Sequence, residues 1–320
     1  MKAILARKYG TPDVLTLEEV EQPTPEGDQL LVKVYAAATN PSNWHRMEGK
    51  IPMIRKMYGD PQPTDHAMGG DCAGTVVAIG KDVTRFTVGD AVFGAAKGAF
   101  AEYAIAAEKN LVHKPETISF VDAAAIPTGG LTALQGLRDH GHITSGQHVL
   151  IIGASGGVGV YAVQIAKSFH THVTAVCSTR NLDMVKSIGA DEVIDYTQQD
   201  WDGTGLYDLI LDMVGDRPFD VYVKNLTPEG RMISAGALGV DTMEFMAKMG
   251  VYKESEEEEK VFNYMAQFKT DDLTTLAQLM ESGEVKSVID RCYPLEETSD
   301  AMAMQGSKRI SGKVVVTMEV

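Results

Sequence analysis

The segment that most restricts this chain is GASGGVG, residues 153–159, which stands directly after the apolar run HVLII and directly before an amphipathic stretch. In that stretch Val158, Ala162, Ile165, Ala166 and Phe169 recur at helical spacing. A second apolar run, VTAVC (173–177), follows. Strand, glycine loop, helix and strand within about 25 residues form the setting in which such a loop binds a dinucleotide. The helix start offers free N–H groups and positive dipole character to a pyrophosphate. Glycines permit the tight turn and let the backbone approach the phosphates. The spacing is not the usual GxGxxG, so the alternative is a glycine-rich turn that only packs helix against sheet.

The pattern continues beyond the loop. EVIDY (192–196), DLILDMVG (208–215) and RMISAG (231–236) are strand candidates, and helical stretches separate most of them. Such alternation predicts a parallel sheet covered by helices. The first 120 residues or so differ. Short apolar runs such as QLLVKVYAAA, GTVVAIG and GDAVFGA are broken by Gly, Pro and Asp, and read as mainly β. The tail returns to strand with KVVVTM (313–318), and KESEEEEK (253–260) reads as a solvated face or loop. With 320 residues, at about 150 per domain, two domains are expected.

A dinucleotide site for NAD usually carries an Asp or Glu about 20 residues after the loop, for the ribose 2′-hydroxyl. Here that stretch reads Ser178-Thr179-Arg180, with no acid. Two hydroxyls and a guanidinium suit a 2′-phosphate, because Arg donates two parallel bonds to it. NADPH is therefore the expected cofactor. The alternative for Arg180 is an exposed residue in the first turn of the next helix.

Charge and cysteine usage exclude other classes. The net charge of −15 disfavours nucleic acid and anionic membrane surfaces. Cys72, Cys177 and Cys292 are odd in number and form no CxxC pair, so a disulfide framework is not expected and a cytoplasmic setting is. No apolar run reaches the ~18 residues of a membrane span, and the N-terminus has no apolar signal core.

At this point the residues match a family. GASGGVG, IGADEVIDY, VIDRCYPLEET and ISGKVVV, with TNPSNW, GGDCAGTVVAIG, FAEYAIA and AAAIPTGGLTALQGL in the first half, resemble the quinone oxidoreductase branch of the medium-chain dehydrogenases/reductases. The likeness runs over essentially the whole chain. It implies an α/β protein with a GroES-like, mainly β domain from residues 1–122 and 285–320. A Rossmann domain with a doubly wound parallel sheet, residues 123–284, is inserted between them. The active site is expected in the cleft between the two, and a homodimer is expected because relatives often pair through the Rossmann sheet edge.

The resemblance also implies roles for single residues. Ser155, Gly156, Gly157, Val158 and Gly159 would offer backbone to the pyrophosphate. Ser178, Thr179, Arg180 and Tyr196 would hold the 2′-phosphate. Val214, Gly215, Ala235, Gly236 and Ala237 would line the ribose and nicotinamide. Asn40 and Thr132 match polar residues beside the nicotinamide, and Lys313 points toward the cofactor or simply begins a strand. Tyr196 and Thr132 also fit as strand-end and helix-interior residues. Zinc-containing relatives place a Cys where this chain has Asn40-Pro41-Ser42-Asn43, and a His in a motif that here reads Gly70-Asp71. The four-cysteine lobe is absent too, so no metal is expected. The pairs His140/His142 and His170/His172 read as surface histidines.

Without a Lewis acid, acceptors already activated by conjugation are favoured, namely quinones, enones or unsaturated thioesters. Asn40, with Ser42 or a water, would hydrogen-bond the oxygen that gains charge. Trp44, Tyr58, Phe245 and the neighbouring Met243, Met246 and Met249 would wall an apolar substrate pocket, or else pack in a core. Two rivals stand beside this reading: an enoyl-thioester or alkenal reductase, and a non-enzymatic NADPH-binding protein.

Overall fold

The computed structural model describes residues 1–235 and 261–318. Its strands, in chain order, are β1 (Lys2–Ala6), β2 (Leu15–Glu19), β3 (Gln29–Ala38), β4 (Asp71–Ile79), β5 (Ala91–Ala95), β6 (Tyr103–Ala107), β7 (Leu111–His113) and β8 (His148–Ile152). They continue with β9 (His172–Cys177), β10 (Glu192–Asp195), β11 (Tyr207–Asp212), β12 (Leu226–Ala235), β13 (Val261–Tyr264), β14 (Ile289–Pro294) and β15 (Lys313–Thr317). The chain divides into two compact units. One is Met1–Thr128 with Phe268–Gly283 and Ser287–Val320, and the other is Gly129–Gln267 with Glu284–Lys286.

The first unit is mainly β, as its broken apolar runs predict. Seven strands form one sheet in the order β14-β15-β3-β4-β5-β7, with β6 also on β3. The ten-residue strand β3 organises it. β4 runs antiparallel along one edge, while the other edge is shared by β6 at Gln29–Lys33 and β15 at Ala36–Ala38. Because both β4 and β15 run antiparallel to β3, the end of β3 meets the beginnings of β4 and β15. The core behind the sheet includes Leu30, Val32, Val34, Met47, Val76, Phe100, Val314 and Val316. Helices Pro41–Glu48 and Pro52–Tyr58 each start on a proline. There the ring presets φ and the missing N–H costs nothing, so these prolines open short helices.

The second unit is a parallel sheet in the order β10-β9-β8-β11-β12-β13. The sequence-predicted strands at 148, 173, 192, 208 and 231 all lie in it. The order turns back between β8 and β11, and ligands of doubly wound sheets bind outside the carboxyl ends of strands at such a point. Helix Gly159–Ser168 follows β8, and Gly159 through Ala166 are all buried. The apolar face foreseen there is thus most of the helix circumference. The acidic run 253–260 lies outside the described residues, as do Gly236, Ala237, Met243, Phe245, Met246 and Met249.

Candidate active site

In the second unit, β8 delivers the chain into the glycine loop. Gly153 has φ +81°, a conformation side-chain-bearing residues rarely adopt. A Cβ on Gly159 would stand 2.2 Å from the Gly153 carbonyl oxygen. The loop is closed on itself to a degree that only glycine permits, which leaves Ser155 to Val158 partly exposed at the start of the helix. Two contacts that the sequence does not announce brace this loop. Buried Asn181 donates from Nδ2 to Ser155 Oγ at 2.9 Å and to Ser178 Oγ at 3.3 Å. Gly129, in helix Pro127–Gln135, lies so close that a Cβ there would be 2.3 Å from the Gly157 carbonyl oxygen.

The turn after β9 presents Ser178, Thr179 and Arg180. Arg180 is exposed and makes no ion pair with a described residue. Thr179 is differently employed from the phosphate role expected of it. Its hydroxyl donates to Asp195 Oδ2 at 2.5 Å and lies 2.8 Å from Thr197 Oγ1. That bond, with others from Thr197, holds the Asp195 carboxyl below its ordinary pKa. Tyr196, at the end of β10, is largely exposed. After β11, buried Asp212 accepts from the backbone N–H groups of Val214 at 2.6 Å and Gly215 at 3.1 Å, and from Tyr222 Oη at 2.5 Å. This folds the Val214–Gly215 turn over the strand end, beside Gly153. Ala235 is buried at the end of β12. Thr132 is also nearly buried, and its carbonyl accepts a short hydrogen bond from Tyr264 Oη.

In the first unit, the three converging strand ends place Asn40, Asp71 and Lys313 together. All three are buried, at 4%, 2% and 2% exposure. Asn40 Nδ2 donates to Asp71 Oδ2 at 3.0 Å. Lys313 Nζ donates to Asn40 Oδ1 at 2.5 Å and to the Thr39 carbonyl at 3.1 Å. Thr128 donates twice to Asp71, from its backbone at 2.9 Å and its hydroxyl at 2.7 Å. The Asn40 backbone N–H donates to Asn43 Oδ1 at 2.9 Å. Burial raises the Asp71 carboxyl above its usual range, against the pull of Lys313 and the hydrogen bonds from Thr128 and Asn40. Burial likewise lowers Lys313 to about 8, against the attraction of Asp71.

Of the expected pocket residues, Ser42 is exposed on the first helix, immediately before buried Asn43. Trp44 takes the core-packing alternative. Its ring lies where a Cβ on Gly306 would sit, at 2.2 Å, and it packs against the sheet core. Tyr58 is half-buried, with its ring 4.3 Å beneath the Arg46 guanidinium. The sequence reading missed Asp71 as a site residue, although its Gly70-Asp71 comparison pointed at the position.

Residues 26–116 match the alcohol dehydrogenase GroES-like domain family, and residues 188–316 the zinc-binding dehydrogenase family. The quinone-oxidoreductase QR1, chloroplastic, of Triphysaria versicolor is 35% identical over 93% of this chain and 92% of its own. The chain belongs to the quinone oxidoreductase branch of the medium-chain dehydrogenase/reductase superfamily. A further relative of this branch's chain is the NADPH-dependent alkenal/one oxidoreductase, chloroplastic, of Arabidopsis thaliana, 33% identical over 99% of this chain and 79% of its own. The solved quinone oxidoreductase of Coxiella burnetii superposes with a TM-score of 0.88 at 30% identity, covering 100% of this chain and 99% of that one.

Membership makes the chain an NAD(P)-dependent oxidoreductase, and the non-enzymatic reading falls. The cytoplasmic expectation also falls. The plant quinone-oxidoreductase relatives are named for the chloroplast and other relatives for the mitochondrion, so cysteine usage did not specify the compartment. No described helix is long and apolar enough to cross a membrane.

The second matching family is named for zinc, so the fit of a metal matters. Among the described residues no three His, Cys, Asp or Glu side chains gather in a metal-binding group. At the converging strand ends an ammonium holds the one free amide oxygen, and a dication would be repelled there. These residues do not fit zinc. The nucleotide end does fit a dinucleotide, because its loop is a cradle that a Cβ at Gly159 would fill.

Proposed function

We propose that this enzyme is a zinc-independent, NADPH-dependent reductase of quinones and other conjugated carbonyls such as alkenals. The observation that carries the reading is the Asn40 site, a buried neutral amide braced by Lys313 and Asp71 where a Lewis acid would otherwise be needed. A hydrogen bond stabilises charge that develops on an oxygen. It polarises a simple ketone far less than a metal does, so the acceptor must already be activated by conjugation. The names of the quinone and alkenal/one oxidoreductases among the relatives support the same class.

Bound NADPH supplies a hydride, and water supplies the proton that completes the two-electron reduction. The chain's own residues hold and orient the reactants. The backbone of Ser155 to Gly159 takes the pyrophosphate, and Ser178 and Arg180 take the 2′-phosphate. Val214, Gly215 and Ala235 would border the ribose and nicotinamide with Thr132, and Tyr196 would join Ser178 and Arg180 at the 2′-phosphate. Asn40 donates to the acceptor's oxygen, and Ser42 and Tyr58 remain candidates for the pocket wall. The rate of NADPH consumption with phenanthrenequinone, an alkenal and a saturated ketone tests this. Turnover of the first two and not the third is expected. Equal turnover of the saturated ketone, or none of any, overturns it.

A homodimer is part of the same proposal. β10 and β13 end the described sheet of the second unit, and a strand without a neighbour favours pairing. Light scattering at micromolar concentration should give twice the 34.6 kDa chain mass.

A further inference from the structure

The Asn40 amide lies between opposite charges. Its oxygen accepts from an ammonium and one of its two Nδ2 hydrogens goes to a carboxylate. The Lys313 ammonium can only donate, and the Asp71 oxygens accept from Thr128 and Asn40, so this orientation of the amide is the one the pair permits. A flipped amide would set its oxygen against Asp71 and its NH2 against Lys313, losing both bonds. One Nδ2 hydrogen remains without a described acceptor. Electron withdrawal at Oδ1 by the ammonium makes that remaining N–H a stronger donor, since chained hydrogen bonds polarise one another.

We propose that Lys313 and Asp71 are positioning residues that lock and polarise Asn40, so that its spare Nδ2–H is aimed at the acceptor oxygen where charge grows. This rests on the reading of Asn40 as the group that touches substrate. Thr128 completes the device from the other side. Its two bonds, one to each oxygen of Asp71, keep the carboxyl group from turning away from Asn40. The arrangement draws on residues that are 31, 57 and 273 positions apart in pairs. A neutral amide alone would be a weak donor in solution. Held in a buried frame between two ions, it is preorganised and need not reorient as the reaction proceeds.

Among the described residues, the titratable groups at this frame are Lys313, Asp71 and Cys72. Cys72 lies next to Asp71 and its thiol is pushed up to about 12, by burial first and by Asp71 second. It therefore stays protonated while Lys313 titrates. Loss of the Lys313 proton removes the polarisation but leaves the shape of the site.

The test compares the wild type with Asn40→Ala, Lys313→Met and Asp71→Asn, using phenanthrenequinone and NADPH. Asn40→Ala should lower kcat about a hundredfold, the usual loss of one such donor. Lys313→Met and Asp71→Asn should each lower kcat about tenfold or more, with the KM for NADPH unchanged. If Asn40→Ala keeps full kcat, both the site reading and this inference fail. If Asn40→Ala loses activity while the other two keep theirs, only the inference fails. A second measurement needs no folding-sensitive variant. In wild type labelled with 15N-asparagine, the Asn40 side-chain amide resonances should move with a midpoint near pH 8, the value to which Lys313 is lowered. The kcat should fall as pH rises through the same midpoint. Amide resonances that stay fixed from pH 6 to pH 10 would overturn the role of Lys313.

Discussion

Arg180 should carry much of the cofactor preference. The 2′-phosphate brings about two negative charges to a protein at −15, so a local cation is needed. Hydrogen bonds to charged groups contribute roughly 1.5–3 kcal/mol each. Arg180→Ala should therefore weaken NADPH binding about ten- to a hundredfold and leave NADH nearly unchanged. Titrating both cofactors against both proteins checks this, and a parallel fall would make Arg180 a structural residue instead. Lys313 gives a second prediction, with opposite signs for rate and stability. Its folded value near 8 is below the ordinary 10.5 of the unfolded chain. Below about 8 the folded protein bears the full cost of a buried ammonium. From there to 10.5 the unfolded chain holds a proton that the folded one has released, so the contribution of Lys313 to stability improves as pH rises. The melting temperature of wild type relative to Lys313→Met should rise across that window while kcat falls. The proposal for Arg180 can be made from the sequence because it depends only on a short, fixed offset from the glycine loop. Asn40 and Lys313 were legible only through resemblance, and Asp71 and Asn181 as site members were not. Their partners come from remote strands and turns, and no local pattern marks such a meeting.

At the scale of the element, strands were the readable part. The apolar runs at 148 and 173 became β8 and β9 nearly residue for residue, because parallel strands buried on both faces need continuous apolar sequence. Helices of the first unit were less visible. Pro41 and Pro52 sit at the starts of two short helices that the broken apolar runs did not announce. The tight approach of helix Pro127–Gln135 to the glycine loop was also invisible, since Gly129 reads as a helix-weakening residue until its neighbour is known. It leads to a prediction. Gly129→Ala should force the Gly157 carbonyl outward, at a cost of about 1–3 kcal/mol for overpacking. NADPH affinity should drop with it, and a melting curve with and without NADPH would show both. Gly159→Ala should be worse, because the atoms in its way are all backbone of its own loop. Retained affinity in Gly129→Ala would mean that the loop does not depend on the helix behind it.

For the whole molecule, the lack of a fitting metal site among the described residues predicts that turnover survives chelation. Activity after dialysis against EDTA should equal that before, with metal analysis of the same sample well below one zinc per chain. One further consequence follows from the order of segments. β15 is inserted in the sheet between β14 and β3, and it brings Lys313. A growing polypeptide leaves the ribosome with β3, Asn40 and Asp71 long before that strand exists. The last residues of the second unit, Glu284–Lys286, precede it as well. Domains generally fold as they emerge. The nucleotide-binding unit is thus free to form during synthesis, while the first sheet waits with an open edge on β3 for its final strand. The ammonium that braces Asn40 arrives with the strand that fills this edge of β3, so the Asn40 frame is assembled only after the whole of the second unit has been made.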